Sequence, residues 1–406
     1  MKDVVKNLFK TEASLPLEAA LLLIAGLMVL LTGILLFPVA VGLLPYYENG
    51  LYGLLLFFFA LQIITLGKTP FGDMNRSIPL IALGIAVAGV GIVTCFIPDL
   101  LGAIPRTLLF VCFTPGSLLM LLQMYFSKRK LQTWLNYGGI FQHLIFSCGT
   151  VYLLSIIIGF IVLMRHLLSI TLTAVIASIF GIAIIYLALV LRKIYLTFPQ
   201  AENANPGRFT LSTDKTMLLV TGVFMMLLGA LLIPINLGQL PFSGSAQLGL
   251  LMVIFAVQML ASGSTPVGAF PRSWLMVFIG LLFATLGIVS VIIPEILVKP
   301  LTSIIGILNI LGGIITIIKT VRSRLEKSTT PWRKNPLILK RLFITQLILA
   351  VLSILFGTSM LISFILPGLV VGVILFANGG ILLYLIVILS ALEKPKNQKQ
   401  QKIPGR

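Results

Sequence analysis

Long apolar runs, separated by short polar segments, dominate this chain. Each of twelve such runs predicts a helix that crosses a membrane: 19–41, 51–66, 78–97, 107–126, 139–163, 167–191, 217–240, 247–262, 274–294, 297–318, 342–366 and 369–392. Most of them reach the roughly 20 residues that a helix needs to cross about 30 Å of hydrocarbon. The pattern therefore predicts an all-α, polytopic membrane protein with about 12 transmembrane helices.

The second half of the chain repeats the first. A shift of 196 residues aligns 67–101 with 263–297, and fourteen of these 35 positions are identical. At a shift of 198 the match extends to Gly181 with Gly379. Six crossings per half is an even number, so the sequence predicts two parallel six-helix repeats. The predicted domains are a first repeat, a cytoplasmic linker, a second repeat and a basic cytoplasmic tail, at 1–198, 199–216, 217–392 and 393–406.

A shorter pattern recurs inside each half, in which two glycines seven residues apart precede a proline. The prolines are Pro38, Pro98, Pro234 and Pro294. Glycines with this spacing share one helix face, where a neighbouring backbone can approach closely. The pattern predicts three hairpins per half, each made of a glycine-faced helix, an outer turn marked by proline and a returning helix.

Six-helix units of this size and glycine pattern resemble the HdeD-type acid-resistance membrane proteins. Each unit also carries a Gly-Ile step, found at Gly33-Ile34, Gly91-Ile92 and Gly287-Ile288. The resemblance implies two such units fused in tandem, located in the inner membrane and active in stress tolerance. It implies no catalytic residues.

Composition and charge agree with a membrane-embedded chain. Hydrophobic residues make up 58% of it, mean hydropathy is +1.12, and only 10% of residues are charged, against roughly 25% in soluble domains. With the N-terminus inside, all 29 basic residues except Arg106, Arg165 and Lys299 fall on the cytoplasmic side, as the positive-inside rule requires. Both termini are therefore predicted to be cytoplasmic. Topology accounts for the net charge of +18 without a nucleic-acid partner, and we expect the basic segments to contact anionic lipid headgroups.

Residues that carry chemistry are scarce. No Asp, Glu, Lys or Arg lies in the middle of a predicted span, although proton relays and ion pathways depend on such groups. The two histidines, His143 and His166, and the three cysteines form no metal-ligand motif. The sequence therefore predicts a protein that is not an enzyme and that holds no metal or cofactor.

One polar loop motif, G-x-T-P-x-G-x-x-x-R-S, occurs once in each half on the predicted cytoplasmic side. Glycine and proline favour a tight turn, and arginine favours an anchor at the inner surface. The alternative is a gate or a loop that docks a partner. The candidate residues are Thr69, Pro70 and Arg76 in the first half and Thr265, Pro266 and Arg272 in the second.

A second candidate is the matched pair Gln62 and Gln258, each about a turn from the inner end of a short apolar run. These second and eighth runs have only about 16 apolar residues, or roughly 24 Å of helix. The amides are expected to form interhelical hydrogen bonds or to contact a solute.

A third candidate is a pair of predicted breaks in the fourth and tenth helices, at Pro115-Gly116 and at Gly312-Gly313. Short or broken helices at matching positions of two halves indicate a transporter site. The alternative is a kink whose free backbone groups are satisfied by neighbouring helices. The neutral hydrogen-bonding groups nearby belong to Thr114, Ser117 and Asn309.

Two functions follow as hypotheses. The first is a non-enzymatic inner-membrane protein of HdeD-like type, in stress or acid tolerance or as a membrane scaffold, which could form a homo-oligomer. The second is a carrier that moves a neutral or weakly polar small solute through a site between the two halves.

Overall fold

The structure is a computed structural model of the 406-residue chain, and it describes residues 13–126, 139–164, 167–198, 212–265, 267–326, 336–362 and 366–400. It is 82% helical. Twelve helices within these ranges are long and apolar enough to cross a membrane. The prediction of an all-α, multi-pass membrane protein is therefore confirmed.

Within the described residues, the first half contains six helices and one short hairpin of strands. They are α1 (Leu17–Ala40), α2 (Glu48–Leu66), β1 (Lys68–Thr69), β2 (Gly72–Asp73), α3 (Ile78–Phe96), α4 (Ile104–Phe126), α5 (Ile140–Leu163) and α6 (Ile170–Thr197).

The second half repeats this order of elements. They are α7 (Thr213–Asn236), α8 (Gly244–Ser262), β3 (Ser264–Thr265), β4 (Gly268–Ala269), α9 (Trp274–Ile292), α10 (Val298–Glu326), α11 (Pro336–Leu361) and α12 (Gly368–Gln400). Two bounds differ from the sequence prediction, because α7 begins inside the predicted linker and α12 continues into the predicted tail.

The same helix pairs pack most closely in both halves. They are α1 with α6, α2 with α3 and α4 with α5, then α7 with α12, α8 with α9 and α10 with α11. The predicted hairpins did not indicate these partners, since α1 and α2 meet at few positions, as do α3 and α4. Small residues on both facing helices decide the partner, and for α1 and α3 these lie on α6 and α2.

Glycine pairs bring these helices into backbone contact, as the spacing predicted. A Cβ added at Gly91 would lie 2.8 Å from the carbonyl oxygen of Gly53, and one at Gly287 would lie 2.6 Å from that of Gly249. The two pairs are related by the shift of 196 residues. A third contact, between α1 and α6, joins Gly26 and Gly181. Absence of side chains at these points permits the close approach.

The helices form two compact units whose boundaries differ from those of the sequence repeats. One unit contains α1 to α6 together with α8 and α9. The other contains α7 and α10 to α12. Helices α8 and α9 therefore complete a unit that the first half begins.

In the larger unit, two equivalent hydrogen bonds join the two halves of the sequence. The N–H of Tyr47 donates to the carbonyl of Ile292, and the N–H of Ser243 donates to that of Phe96, both at 2.9 Å. Each bond is the other with the halves exchanged, which is the pattern of a two-fold relationship. Most of α2 and nearly all of α8 are buried beside this junction, so their short lengths need not match the hydrocarbon thickness.

We predict that Gly91→Ala lowers the thermal stability of the protein. The new methyl group would overlap the Gly53 carbonyl, and overpacking typically costs about 1–3 kcal/mol. Gly380→Ala is the control, because no heavy atom of the described chain lies within 4 Å of a Cβ at that helical position. It should leave the melting temperature unchanged or raise it slightly. Circular dichroism in lipid nanodiscs measures both, and equal melting temperatures for the two variants would contradict the packing argument.

Candidate functional site

A cavity of about 800 Å³ lies among the helices of the first half. Side chains of α1, α2, α4, α5 and α6 and of the β1–β2 hairpin line it. Its volume is within the range of about 300–1,000 Å³ that is typical of ligand pockets. The sequence predicted a solute site between the two halves, whereas this cavity is lined by first-half residues alone.

The hairpin at one end of the cavity is a tight turn held by threonine. The Thr69 hydroxyl donates to the carbonyl of Gly72 (2.8 Å) and accepts from the N–H of Phe71 (3.3 Å). Gly67 ends α2 in the left-handed conformation, with φ of 70°. Pro70 fixes the corner of the turn and lines the cavity.

The second half folds its copy of the motif in the same way. The Thr265 hydroxyl donates to the carbonyl of Gly268 (2.7 Å) and accepts from the N–H of Val267 (3.2 Å). The interpretation of the motif as a tight turn is therefore confirmed in both halves. Pro266 lies outside the described residues.

The two arginines of the motif bind backbone carbonyls at helix ends. Arg76 donates from Nη2 to the carbonyl of Ile64 (3.0 Å), at the end of α2. Partial burial lowers the pKa of its guanidinium. Arg272 donates to the carbonyl of Leu15, just before α1. These contacts give the arginines an anchoring role inside the protein, and a role in gating or partner binding stays a prediction.

The cavity has a charged end, which the sequence did not indicate as a site. Lys68 and Glu18 form an ion pair, and the Tyr195 hydroxyl donates to the other carboxylate oxygen of Glu18 at 2.6 Å. Asp73 lies opposite Lys68 in the hairpin register and is exposed. The amide side chain of Gln62 also lines the cavity.

The opposite end of the cavity is apolar and aromatic. Phe59 and Phe113 meet edge to face with their ring centroids 5.1 Å apart, and Phe113 meets Phe180 at 6.2 Å. Between the two ends, the Ser117 hydroxyl donates to the Ser155 hydroxyl (2.7 Å). The polar groups of this part of the described lining, which include the Tyr152 hydroxyl, are neutral.

This polarity gradient runs along the helices for about one leaflet. On α1 the lining extends from Glu18 to Val29, a distance of about 16 Å at 1.5 Å per residue. Half of a hydrocarbon core is about 15 Å thick. The charged end lies at the helix termini, and the aromatic end lies near their middle.

The second hairpin lacks the two charges of the first hairpin, although Asp214 stands at the position that matches Glu18. Lys68 and Asp73 correspond to Ser264 and Ala269 at the shift of 196. Both hairpins nevertheless have the same turn, so the fold of the hairpin does not require the charges. This difference in charge between two motifs with the same turn was a signal in the sequence that could have indicated the site.

The predicted breaks in α4 and α10 are wrong. Helix α4 continues through Pro115 and Gly116, and α10 continues through Gly312 and Gly313. Neighbouring chain packs against these small residues. A Cβ at Gly116 would lie 2.7 Å from the carbonyl oxygen of Pro70, and one at Gly313 would lie 2.6 Å from that of Ala350.

The polar residues beside these positions mostly serve helix packing. The Thr114 hydroxyl donates to the carbonyl of Ile156 at 3.3 Å, and the Ser353 hydroxyl donates to the carbonyl of Asn309 at 3.0 Å. Of the neutral residues predicted as solute contacts, Gln62, Thr69 and Ser117 line the cavity. Gln258 lies half-buried in α8, where its backbone carbonyl accepts from the hydroxyl of Ser262.

The fold and the cavity define a class: a multi-pass α-helical membrane protein with an internal cavity that is charged at one end. Comparison of the chain with known protein families, curated proteins and solved structures finds no match. The resemblance to HdeD-type proteins therefore stays a prediction.

We predict that the Lys68–Glu18 pair is energetically coupled. Lys68→Met should destabilise the protein by leaving the largely buried Glu18 carboxylate without its cation. Glu18→Gln in the same chain should recover part of that loss, with a coupling energy on the order of 0.5–3 kcal/mol. Thermal unfolding of the two single variants and the double variant measures the coupling. Ser264→Met, at the matching position of the second hairpin, is the control, and additive effects of the two substitutions would exclude a coupled pair.

Proposed function

We propose that this chain is an inner-membrane protein that binds an amphiphilic small molecule in the cavity of its first half. With both termini in the cytoplasm, the charged end of the cavity faces the cytoplasmic leaflet. The head group of the ligand lies among Lys68, Asp73 and Gln62, and its apolar part extends toward Phe113 and Phe180. The protein acts as a binding protein or carrier and not as an enzyme.

The polarity gradient of the cavity is the observation that carries this proposal. A purely polar solute would leave the aromatic end without favourable contacts, and a purely apolar one would bury the charged end. An amphiphile satisfies both ends at once. The polarity of the cavity changes in the same direction as that of one leaflet and over about the same length. An amphiphile from that leaflet can therefore enter without inverting.

Divergence between the halves supports the proposal independently. The hairpin of the second half folds without the charges, so their presence in the first half calls for an explanation other than the turn itself. A ligand that requires them supplies one. The stress-tolerance role implied by the HdeD-type resemblance is compatible with such a ligand and stays a prediction.

Two native cysteines provide the test. Cys148 and Cys112 line the cavity, whereas Cys95 is fully buried elsewhere. The purified protein is placed in detergent-free nanodiscs and treated with N-ethylmaleimide. We expect a mixture of laurate, dodecyltrimethylammonium and dodecylphosphocholine to slow the labelling of Cys148 and Cys112. At ten times the dissociation constant, about a tenth of the sites remain free, so the rate should fall about tenfold.

A variant that fills the cavity controls for indirect effects of the probes on the bilayer. Val151 lines the cavity on α5, and Leu349 is its counterpart on α11 at the shift of 198. Val151→Phe should abolish the protection of Cys148, whereas Leu349→Phe should leave it as in the unmodified protein. Peptide mass spectrometry reads both rates. Unchanged labelling with every amphiphile in the unmodified protein would refute ligand binding in this cavity.

A further inference from the structure

We propose that the ligand is an amphiphile with a single hydrocarbon chain and a zwitterionic head group. This inference rests on the function proposed above and names the chemical class of the ligand. It follows from the volume of the cavity, from the arrangement of charges at its charged end and from the contacts that Glu18 makes.

Volume limits the number of chains. The cavity of about 800 Å³ falls in the range of about 300–1,000 Å³ that encloses ligands of drug size. A single-chain amphiphile is of this size, whereas a two-chain phospholipid is larger. The aromatic wall of Phe59, Phe113 and Phe180 closes the apolar end near the middle of the helices.

Glu18 positions the lysine and offers little to a ligand itself. One carboxylate oxygen binds Lys68 and the other accepts from Tyr195, and the Glu18 side chain is only 12% exposed. A lysine ammonium can donate three hydrogen bonds, and within the described part of the chain Glu18 accepts one of them. Lys68, which is 35% exposed, therefore presents an oriented cation at the charged end of the cavity.

The anion beside this cation comes from the opposite strand of the hairpin. Lys68 and Asp73 are direct cross-strand partners, and the Cβ atoms of such partners lie about 4.5–5.5 Å apart. A head group with one sign of charge would be attracted by one of them and repelled by the other. A zwitterion meets a complementary charge at both. The side-chain amides of Gln62 and Gln123, which also line the cavity, can donate and accept hydrogen bonds to the same head group.

The thiol-protection assay tests this inference when each probe is titrated separately. In phosphatidylglycerol nanodiscs, dodecylphosphocholine should protect Cys148 at a lower concentration than laurate or dodecyltrimethylammonium, which have the same chain length. Didodecanoyl phosphatidylcholine, with the same head group and two chains, should give no protection. If laurate or the trimethylammonium probe protects at an equal or lower concentration, the zwitterion is excluded. Protection by the two-chain lipid excludes the single chain. If no probe protects Cys148, the proposed function is rejected instead.

Charge variants test the same assignment from the side of the protein. Asp73→Asn should weaken the binding of dodecylphosphocholine about two- to fivefold, which is the range of a surface charge contact. The same variant should strengthen the binding of laurate. Lys68→Gln should shift the preference toward dodecyltrimethylammonium. Asp73 is exposed, so its variant should fold and decides the question even if Lys68→Gln unfolds. An unchanged order of the three probes in Asp73→Asn would overturn the assignment. Ala269→Asn, at the matching position of the second hairpin, is the control and should change nothing.

Discussion

Close contact between glycine-bearing helix faces is the interaction on which the rest of this structure depends. Lipid removes the hydrophobic drive between helices, so their association relies on packing at short range. The pairs Gly53–Gly91 and Gly26–Gly181 supply it for α2 with α3 and for α1 with α6. Packing is tight within these pairs and looser between them, since α1 and α2 meet at few positions, as do α2 and α4. The cavity occupies the space between tight pairs.

The sequence predicted the elements and the turns well, because both follow from local patterns. Apolar runs define the helices, and Thr69 with Gly72 defines the hairpin. The choice of helix partners was not predictable, since α1 and α6 are far apart in sequence and proline-marked turns suggested other neighbours. The breaks expected at Pro115 and Gly312 also failed, because residues that interrupt an isolated helix are tolerated where neighbouring chain packs against them.

The cavity could not be predicted from the sequence for a related reason. Glu18 lies 50 residues from Lys68 and 177 from Tyr195, so nothing local connects them. Each lies close to a helix end, where a single polar residue does not by itself indicate a site. Comparison of the halves reveals more, because Lys68 and Asp73 are the charged positions of this motif that 263–273 replaces with uncharged residues.

The arginines of the two motifs bind backbone carbonyls next to helices of the larger unit. Arg76 binds the end of α2, and Arg272 binds Leu15, while the carbonyl of Arg272 accepts from the N–H of Ala13 at 2.6 Å. Arg272 thus fixes the chain that enters α1, only three residues before Glu18. The carboxylate that orients Lys68 is therefore held in place from the second half of the sequence. Burial makes an ion pair costly unless its geometry is well held, and here residues from both halves of the sequence hold it.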